Sequence, residues 1–470
     1  MRFLLASLII LLGTTTYCFS QNKQLLYNVN GLPQSLLNNP GTNVNFDGHI
    51  GVPLFSKFHI STGSSGLNLF DIFDDSNPDV NRRVSSAIRR LTRNDYFTLH
   101  QQLEIFSFGW RFNNGQYLSA GVYQEMDMFA YFPKDPALLV NEGNNDYLNV
   151  PFDFSDVSFT GEILTVYHIG LNKKINKKLT VGVRGKLYSG IFNVSSTNNT
   201  GLFTTRDDLD NPNFYRHFAE NINVRVNTSG YASLSGSEKS VQESTKDLLK
   251  RSFFGGNVGA GLDFGATYTF ADSFRITGSV LDIGVMYQRD DVENYLYYGS
   301  YETDGIEPLF PDVAPNGNTL PYWDIFEDDV DRNLKDETVS ENYQTWRPVK
   351  FNAALEFGFE EMVEICDYRK AYTRRSYNLV GVHLFGVKRP RAMNYALTTY
   401  YDRKFRNNFR AKISYTLDDF SYYNVGLLLS KRIKKFNIYI AADNLIGYFN
   451  LAKSQSASVQ FGMQFIFNKQ

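Results

Sequence analysis

The sequence predicts an all-β fold: a single antiparallel transmembrane β-barrel of about 14 strands (range 12–16), with long extracellular loops. Three observations predict it. Apolar and polar residues alternate with a period of two along many segments, several of them longer than an ordinary strand. Aromatic residues make up 15% of the chain, with 39 Phe and 30 Tyr, although the mean hydropathy is only -0.31. Short turns alternate with long connections from one end to the other. A soluble sandwich also alternates, but large aromatics and strands long enough to cross a bilayer at a tilt favour the barrel.

Residues 1–20 (MRFLLASLIILLGTTTYCFS) carry one positive charge at Arg2, an apolar run from Phe3 to Leu12, and small or polar residues up to Ser20. They read as a secretory signal peptide cleaved after Ser20, so Sec-type export is expected, with the cell outer membrane as destination. Tyr17 stands where a lipoprotein signal at Cys18 needs a small residue. The only cysteines are Cys18 and Cys366, so cleavage leaves no internal disulfide. No later run is long and apolar enough for a membrane helix.

Residues 44–470 are assigned to the barrel. The clearest strand is the last, where Ala457, Val459, Phe461, Met463, Phe465 and Phe467 alternate with Ser458, Gln460, Gly462, Gln464 and Ile466. The same rhythm runs through 179–187, 258–270, 349–359 and 409–417. Breaks near Val280-Leu281, within SVLDIG, and near Ile105-Phe106 predict bulges. Short turns fall at 113–116, 172–178, 271–273, 403–408 and 432–435, with a longer connection of the same parity at 360–375. Long outer loops fall at about 130–155, 195–253 and 289–345, with another at 443–456. With the short turns periplasmic and the first strand starting near Val44, the parity closes on an even count. Residues 79–93 and 237–250 have helical character, and 221–234 reads as an extracellular hairpin.

Residues 21–43 have too few alternating positions for a wall strand. They carry Leu36-Leu37-Asn38-Asn39-Pro40-Gly41, which resembles the Asn-Pro-small motif near the N-terminus of the long-chain fatty acid transporter superfamily of outer-membrane barrels. GAGLDFGATY at 259–268, followed by SVLDIG at 279–284, is similar to a large set of Bacteroidota outer-membrane barrels of unknown function, related in look to the type IX secretion shuttle barrel. The resemblance implies a 14-stranded barrel whose lumen holds 21–43 as a plug, with Asn39, Pro40 and Gly41 as the plug motif. Gly41 replaces the usual Ala, and the chain ends on Phe467-Asn-Lys-Gln rather than on Phe.

Catalytic chemistry finds no support. His49, His59, His100, His168, His217 and His383 form no metal-ligand spacing, and there is no P-loop or GxSxG, so no enzyme, metal or cofactor is expected. Asp328-Asp329-Val330-Asp331-Arg332-Asn333 lacks the glycine and glutamate of a calcium loop and reads as a solvated acidic loop. With 47 Lys+Arg against 49 Asp+Glu, a net charge of -2 and a pI near 6.3, nucleic acid is not an expected partner.

Glu125, Asp127, Glu162, Arg184, Lys186, Asp263, Lys350, Glu356, Arg410 and Lys412 alternate with apolar neighbours and should point into the lumen. Their mixed signs fit a paired-ion network supporting the wall better than a strongly ion-selective pore. Tyr295, Tyr297, Tyr298, Tyr301 and Trp323 lie in the long loop at 289–345 as candidate outer contacts. The expected function is passive transport of small hydrophobic solutes. The alternative is a barrel that docks, shuttles or anchors a surface protein. Outer-membrane lipid and lipopolysaccharide are expected surroundings in both cases.

Overall fold

The computed structural model describes residues 24–73, 79–112, 115–210, 214–235, 240–271, 273–304, 330–363, 374–405 and 407–468. The signal segment, residues 21–23, Trp323, Cys366, Asp328, Asp329 and most of the 360–375 connection lie outside them.

Fourteen strands form a closed antiparallel barrel. They are β1 (Gly48–Gly51 and Lys57–Ser64, one strand with a break), β2 (Tyr96–Arg111), β3 (Gln116–Tyr131), β4 (Phe159–Lys174), β5 (Leu179–Ser196), β6 (Asn257–Ala271) and β7 (Phe274–Gln288). The wall continues through β8 (Tyr343–Trp346 and Lys350–Val363), β9 (Arg374–Lys388), β10 (Met393–Lys404), β11 (Phe409–Leu417), β12 (Asn424–Ile433), β13 (Phe436–Asp443) and β14 (Ser456–Phe467). Each pairs with the next, and β14 returns to β1 with Ile50 opposite Phe465 and Phe58 opposite Phe461. Closure leaves no unpaired wall edge. The first strand begins at Gly48 rather than near Val44, because Phe46 turns inward onto Leu36, Tyr117 and Ile466.

Burial is inverted relative to a water-soluble sheet. On β14, Gln464 is 0% exposed and Phe465 42%; on β11, Lys412 is 1% exposed and Ile413 50%. The polar face of each strand is therefore the inner one, and the apolar face makes an outer belt. Among the described residues no helix is long and apolar enough to cross a membrane.

Both expected bulges are present. Glu104 pairs with Tyr123 and Phe106 with Val122, leaving Ile105 over. Leu262 pairs with Ile283 and Phe264 with Val280, so β7 carries the excess at Leu281-Asp282. Asp282 has φ +61, a left-handed conformation that an Asp tolerates better than a bulky residue does. A third irregularity, unmarked in the sequence, leaves Ile191 unpaired between β4 and β5. The two parts of β8 are also separated: Leu281 pairs with Lys350 and Val285 with Trp346, bridged by Arg347 N donating to the Gly284 carbonyl at 3.0 Å.

The long connections hold more structure than loops. Thr200–Asp207, Tyr215–Ser229, Val292–Thr303 and Leu334–Val339 pair side by side, with Phe152–Asp153 at one margin. They make an outer sheet that joins β5 through Asn193–Ser195. Residues 221–229 thus belong to one strand paired on both sides, not to a hairpin of their own. Ile222, Val224 and Val226 supply the alternation that allows this. Helices form at Val80–Arg90, capped by Asp79, and at Val241–Ser252, where Ser240 and Glu243 make a capping box.

Residues 24–43 lie inside the barrel. Leu25, Leu26, Val29 and Leu32 pack on Leu428, Tyr439 and Ala441 of β12 and β13. The Asn39-Pro40-Gly41 turn reaches the opposite wall, where Gly41 N donates to Asn39 Oδ1 at 2.8 Å. There, backbone meets backbone: a Cβ on Gly182 would strike the Pro40 carbonyl, and a Cβ on Gly41 would strike the Gly265 carbonyl. These glycines are needed for close approach. At Gly185, on the same strand as Gly182, a Cβ would meet nothing within 4 Å. Gly182→Ala or Gly265→Ala is expected to cost about 1–3 kcal/mol through overpacking and to expose 24–43 to added protease. Gly185→Ala should leave both properties as in wild type. Unchanged protection in all three variants would show that this contact does not hold the segment.

Candidate functional site

The ten lumen residues chosen from the alternation fall into two groups, both facing the inside of the barrel. The larger centres on β5, β6, β7 and β8. Arg184 lies 2.5 Å from the Asp263 carboxylate, and Lys186 lies 2.9 Å from it while also pairing with Asp282. Lys350 bridges Asp282 at 2.7 Å and Glu125 at 3.4 Å. Arg347 joins Glu125 at 3.1 Å and also pairs with Glu162. Arg389 holds Asp127 at 2.7 Å. Acids and bases balance here, with Asp127, Glu125, Glu162, Asp263 and Asp282 against Arg184, Lys186, Arg347, Lys350 and Arg389.

The smaller group lies nearer the short turns. Arg275 pairs with Glu356, which also accepts from the Tyr400 hydroxyl at 2.7 Å. Arg410 donates to Asp402 at 2.7 Å. Lys412 donates to the Tyr27 carbonyl at 2.8 Å and sits 3.9 Å above the Tyr400 ring.

Several members escape the sequence pattern: Asp282, Arg347, Arg389, Arg275 and Asp402. Asp282 sits on the bulge, which swaps it out of the strand's parity. Arg347 and Arg389 stand where strands break or end, beyond reach of a period-two argument. The SVLDIG break is the one signal that points to Asp282.

The lumen side chains also grip the N-terminal segment by its backbone. Arg184 donates to the Leu36 carbonyl at 2.8 Å and the Leu37 carbonyl at 2.7 Å. Ser279 donates to the Asn38 carbonyl at 2.7 Å. Asn172 donates to the Pro40 and Thr42 carbonyls at 2.7 and 2.9 Å. Asn28 donates to Thr277 at 3.0 Å, and Tyr27 stacks on His383 with ring centres 4.1 Å apart.

His100, Glu125 and Asp127 bring one ligand atom each within 4.8 Å of one another. Arg347, Lys350 and Arg389 already occupy those carboxylates, and His100 Nε2 lies 3.1 Å from Glu125. The cluster is therefore built as part of the ion network, with protein cations in the place a metal would take.

The candidate outer contacts Tyr295, Tyr297, Tyr298 and Tyr301 all lie on Val292–Thr303 of the outer sheet. Of these four, only Tyr297 is exposed, the others being half-buried. The Tyr295 hydroxyl donates to Glu293 at 3.1 Å and that of Tyr298 to Glu337 at 2.5 Å.

At the outer rim, Asp419 accepts from the Tyr96 hydroxyl at 2.6 Å in the turn between β11 and β12. Burial, reinforced by the charges of Asp418 and Asp95, pushes its carboxyl up to about 8. A raised folded value favours the protonated native state, so this stabilisation is present below the ordinary carboxylate range and is lost as pH rises toward 8. Melting temperature should therefore fall between pH 4 and 8, and Asp419→Asn should flatten that slope; an unchanged slope would count against the assignment. In the lumen, Arg184→Leu should cost about 3–5 kcal/mol by leaving Asp263 short of a partner, and Lys412→Leu about 1–3 kcal/mol by orphaning the Tyr27 carbonyl. Denaturant unfolding in detergent micelles should show these losses, with smaller changes in vesicle permeability. The opposite ranking would contradict a structural role for the network.

Among curated proteins, none matches the chain in sequence. Among solved structures, it is similar to the P. putida toluene transporter TodX at 11% identity and a TM-score of 0.39, covering 97% of each chain. It is similar to a Pseudomonas aeruginosa FadL homologue at 9% identity and a TM-score of 0.42, covering 97% of this chain and 100% of that one. The Ralstonia pickettii toluene transporter TbuX is 10% identical, with a TM-score of 0.37 and coverage of 97% and 96%. At these identities the likeness concerns the fold alone. The model of a family of unknown function, DUF5723, matches residues 40–443, and with that span this 14-stranded barrel belongs to the DUF5723 family.

Proposed function

We propose that the chain is an outer-membrane β-barrel that passes small hydrophobic solutes by diffusion, reached after Sec-type export and removal of residues 1–20. The inverted burial of its strands supports the membrane setting: an apolar belt outside and paired charges inside suit hydrocarbon around the wall. The transport reading rests on one observation, the way residues 24–43 fill the lumen. They are held by side-chain hydrogen bonds to their carbonyls and by glycine contacts, and they follow no wall strand. Such a segment can leave as a unit without breaking the wall's hydrogen-bonded ladder. The balance of acids and bases lining the lumen favours uncharged solutes over ions of either sign.

A second reading, docking of a secreted or surface protein, draws on the outer sheet, whose strand Val292–Thr303 presents Tyr297 to solvent. A stoichiometric protein partner that co-purifies with the chain and is lost when that sheet is trimmed would favour it.

The transport reading is tested by tethering the segment. Asn28→Cys with Thr277→Cys, in a Cys366→Ser background, replaces a hydrogen-bonded pair that joins segment to wall. Proteoliposomes carrying the reduced protein should take up a fluorescent fatty acid faster than empty vesicles. Oxidation should lower that uptake roughly tenfold, about 1.4 kcal/mol of added barrier, and reductant should restore it. Equal uptake in both redox states, with the disulfide confirmed by mass, would remove the segment from the transport path.

A further inference from the structure

Helix Val241–Ser252 stands at the outer rim between β5 and β6. Arg251 ties its inner face down, donating to the Gly230 carbonyl and the Asp291 carboxylate, both at 2.8 Å. The outer face leaves Leu249 58% and Phe253 69% exposed. Leu249 on the helix and Phe253 just past its end are two large apolar side chains left to solvent, a poor arrangement for water. The end of the helix is fastened to the apolar belt: Tyr167 donates to the Ser252 carbonyl at 2.8 Å, and the Phe254 ring packs 4.6 Å from the Tyr167 ring. Tyr167 sits on the outward face of β4, in line with Ile169 and Leu171.

Beside Tyr167 the belt is hollowed out. Ala120, Gly185 and Ala260 offer little or no side chain to the outside, and a groove of about 750 Å³ opens over them between Tyr167 and Trp346. The Trp346 indole stands exposed at the far wall, beside the gap in β8. An aromatic with a polar handle on either side is the arrangement found at a membrane interface. On the helix, Lys246 and Lys250 lie one turn apart, exposed, flanking Leu249 and Phe253. Neither has a carboxylate partner among the described residues.

We propose that this groove and helix form a binding site for one anionic glycolipid of the outer leaflet, the lipid A part of lipopolysaccharide. One acyl chain lies in the groove, and a phosphate meets Lys246 and Lys250. Leu249 and Phe253 enter the boundary between headgroups and chains, with the two lysines snorkelling above them. The occupant follows from continuity and charge: the groove is part of the outer belt, and the cations sit at its headgroup end. This site rests on the outer-membrane reading but not on transport.

The test uses the full chain extracted from outer membranes in mild detergent, with bound lipid A counted by native mass spectrometry. Wild type should retain one equivalent. Lys246→Glu with Lys250→Glu, and separately Ala260→Phe, should each lower retention roughly tenfold. Ala260 faces outward and lines the groove, so its replacement fills the site without entering the lumen. Ala353→Phe, outward-facing on β8 and outside this groove, should retain lipid A as wild type does. Heat-modifiable migration on gels confirms that each variant is folded. Equal retention by wild type, the double charge variant and Ala260→Phe would overturn the proposal, as would equal loss in Ala353→Phe. Membrane fractionation separates the two levels: a chain absent from outer membranes defeats the reading beneath, and a chain present there without lipid A defeats this one.

Discussion

A charge sealed inside a barrel has no water to fall back on, so each must be satisfied by another part of the chain. Removing an ion from water costs several kcal/mol, and mutual attraction offsets that only with good geometry and further hydrogen bonds. The interior answers this demand at every level. Lys350 serves two carboxylates, Asp263 serves two bases, and Asp282 is brought within reach of both lysines by the bulge on β7. Where side-chain partners run out, the N-terminal segment supplies carbonyls, as it does to Arg184 and Lys412. Segment and network therefore stabilise one another: each would leave buried polar groups unpaired without the other.

The same constraint explains the glycines at the segment's far end. Carbonyls can reach Arg184 and Asn172 only if the Asn39-Pro40-Gly41 turn lies flat against β5 and β6. Side chains at 182 or 265 would hold it away from the wall. Gly41 meets the same requirement, since a Cβ there would strike the Gly265 carbonyl.

The wall is legible in the sequence because a period of two has one meaning once the outward residues are large and aromatic. Val459, Phe461 and Phe465 against Gln460 and Gln464 mark both the strand and its faces, and the turn parity sets the count. What stays hidden depends on breaks in that period. Asp282 and Arg347 act in the network from irregular backbone, where neighbours in sequence say nothing about direction. The outer sheet reads as loop because its strands pair across long stretches of chain, Tyr295 with Val226 for instance, and no local pattern encodes such a partner. The groove beside Tyr167 is equally silent, since it is made by small residues from several strands that only the register brings together.

Closure by β14 against β1 carries a consequence for biogenesis. The first wall strand waits for the last one synthesised, and until they meet both keep open edges. The segment ahead of β1 contacts β4, β5, β7, β11, β12 and β13, so its final seat does not exist in any partial sheet. Long-range pairing of this kind makes folding slow and leaves exposed edges open to wrong partners. A leading segment seated inside the curling sheet before the seam shuts reaches its contacts sideways, whereas after closure the only way in is along the barrel axis.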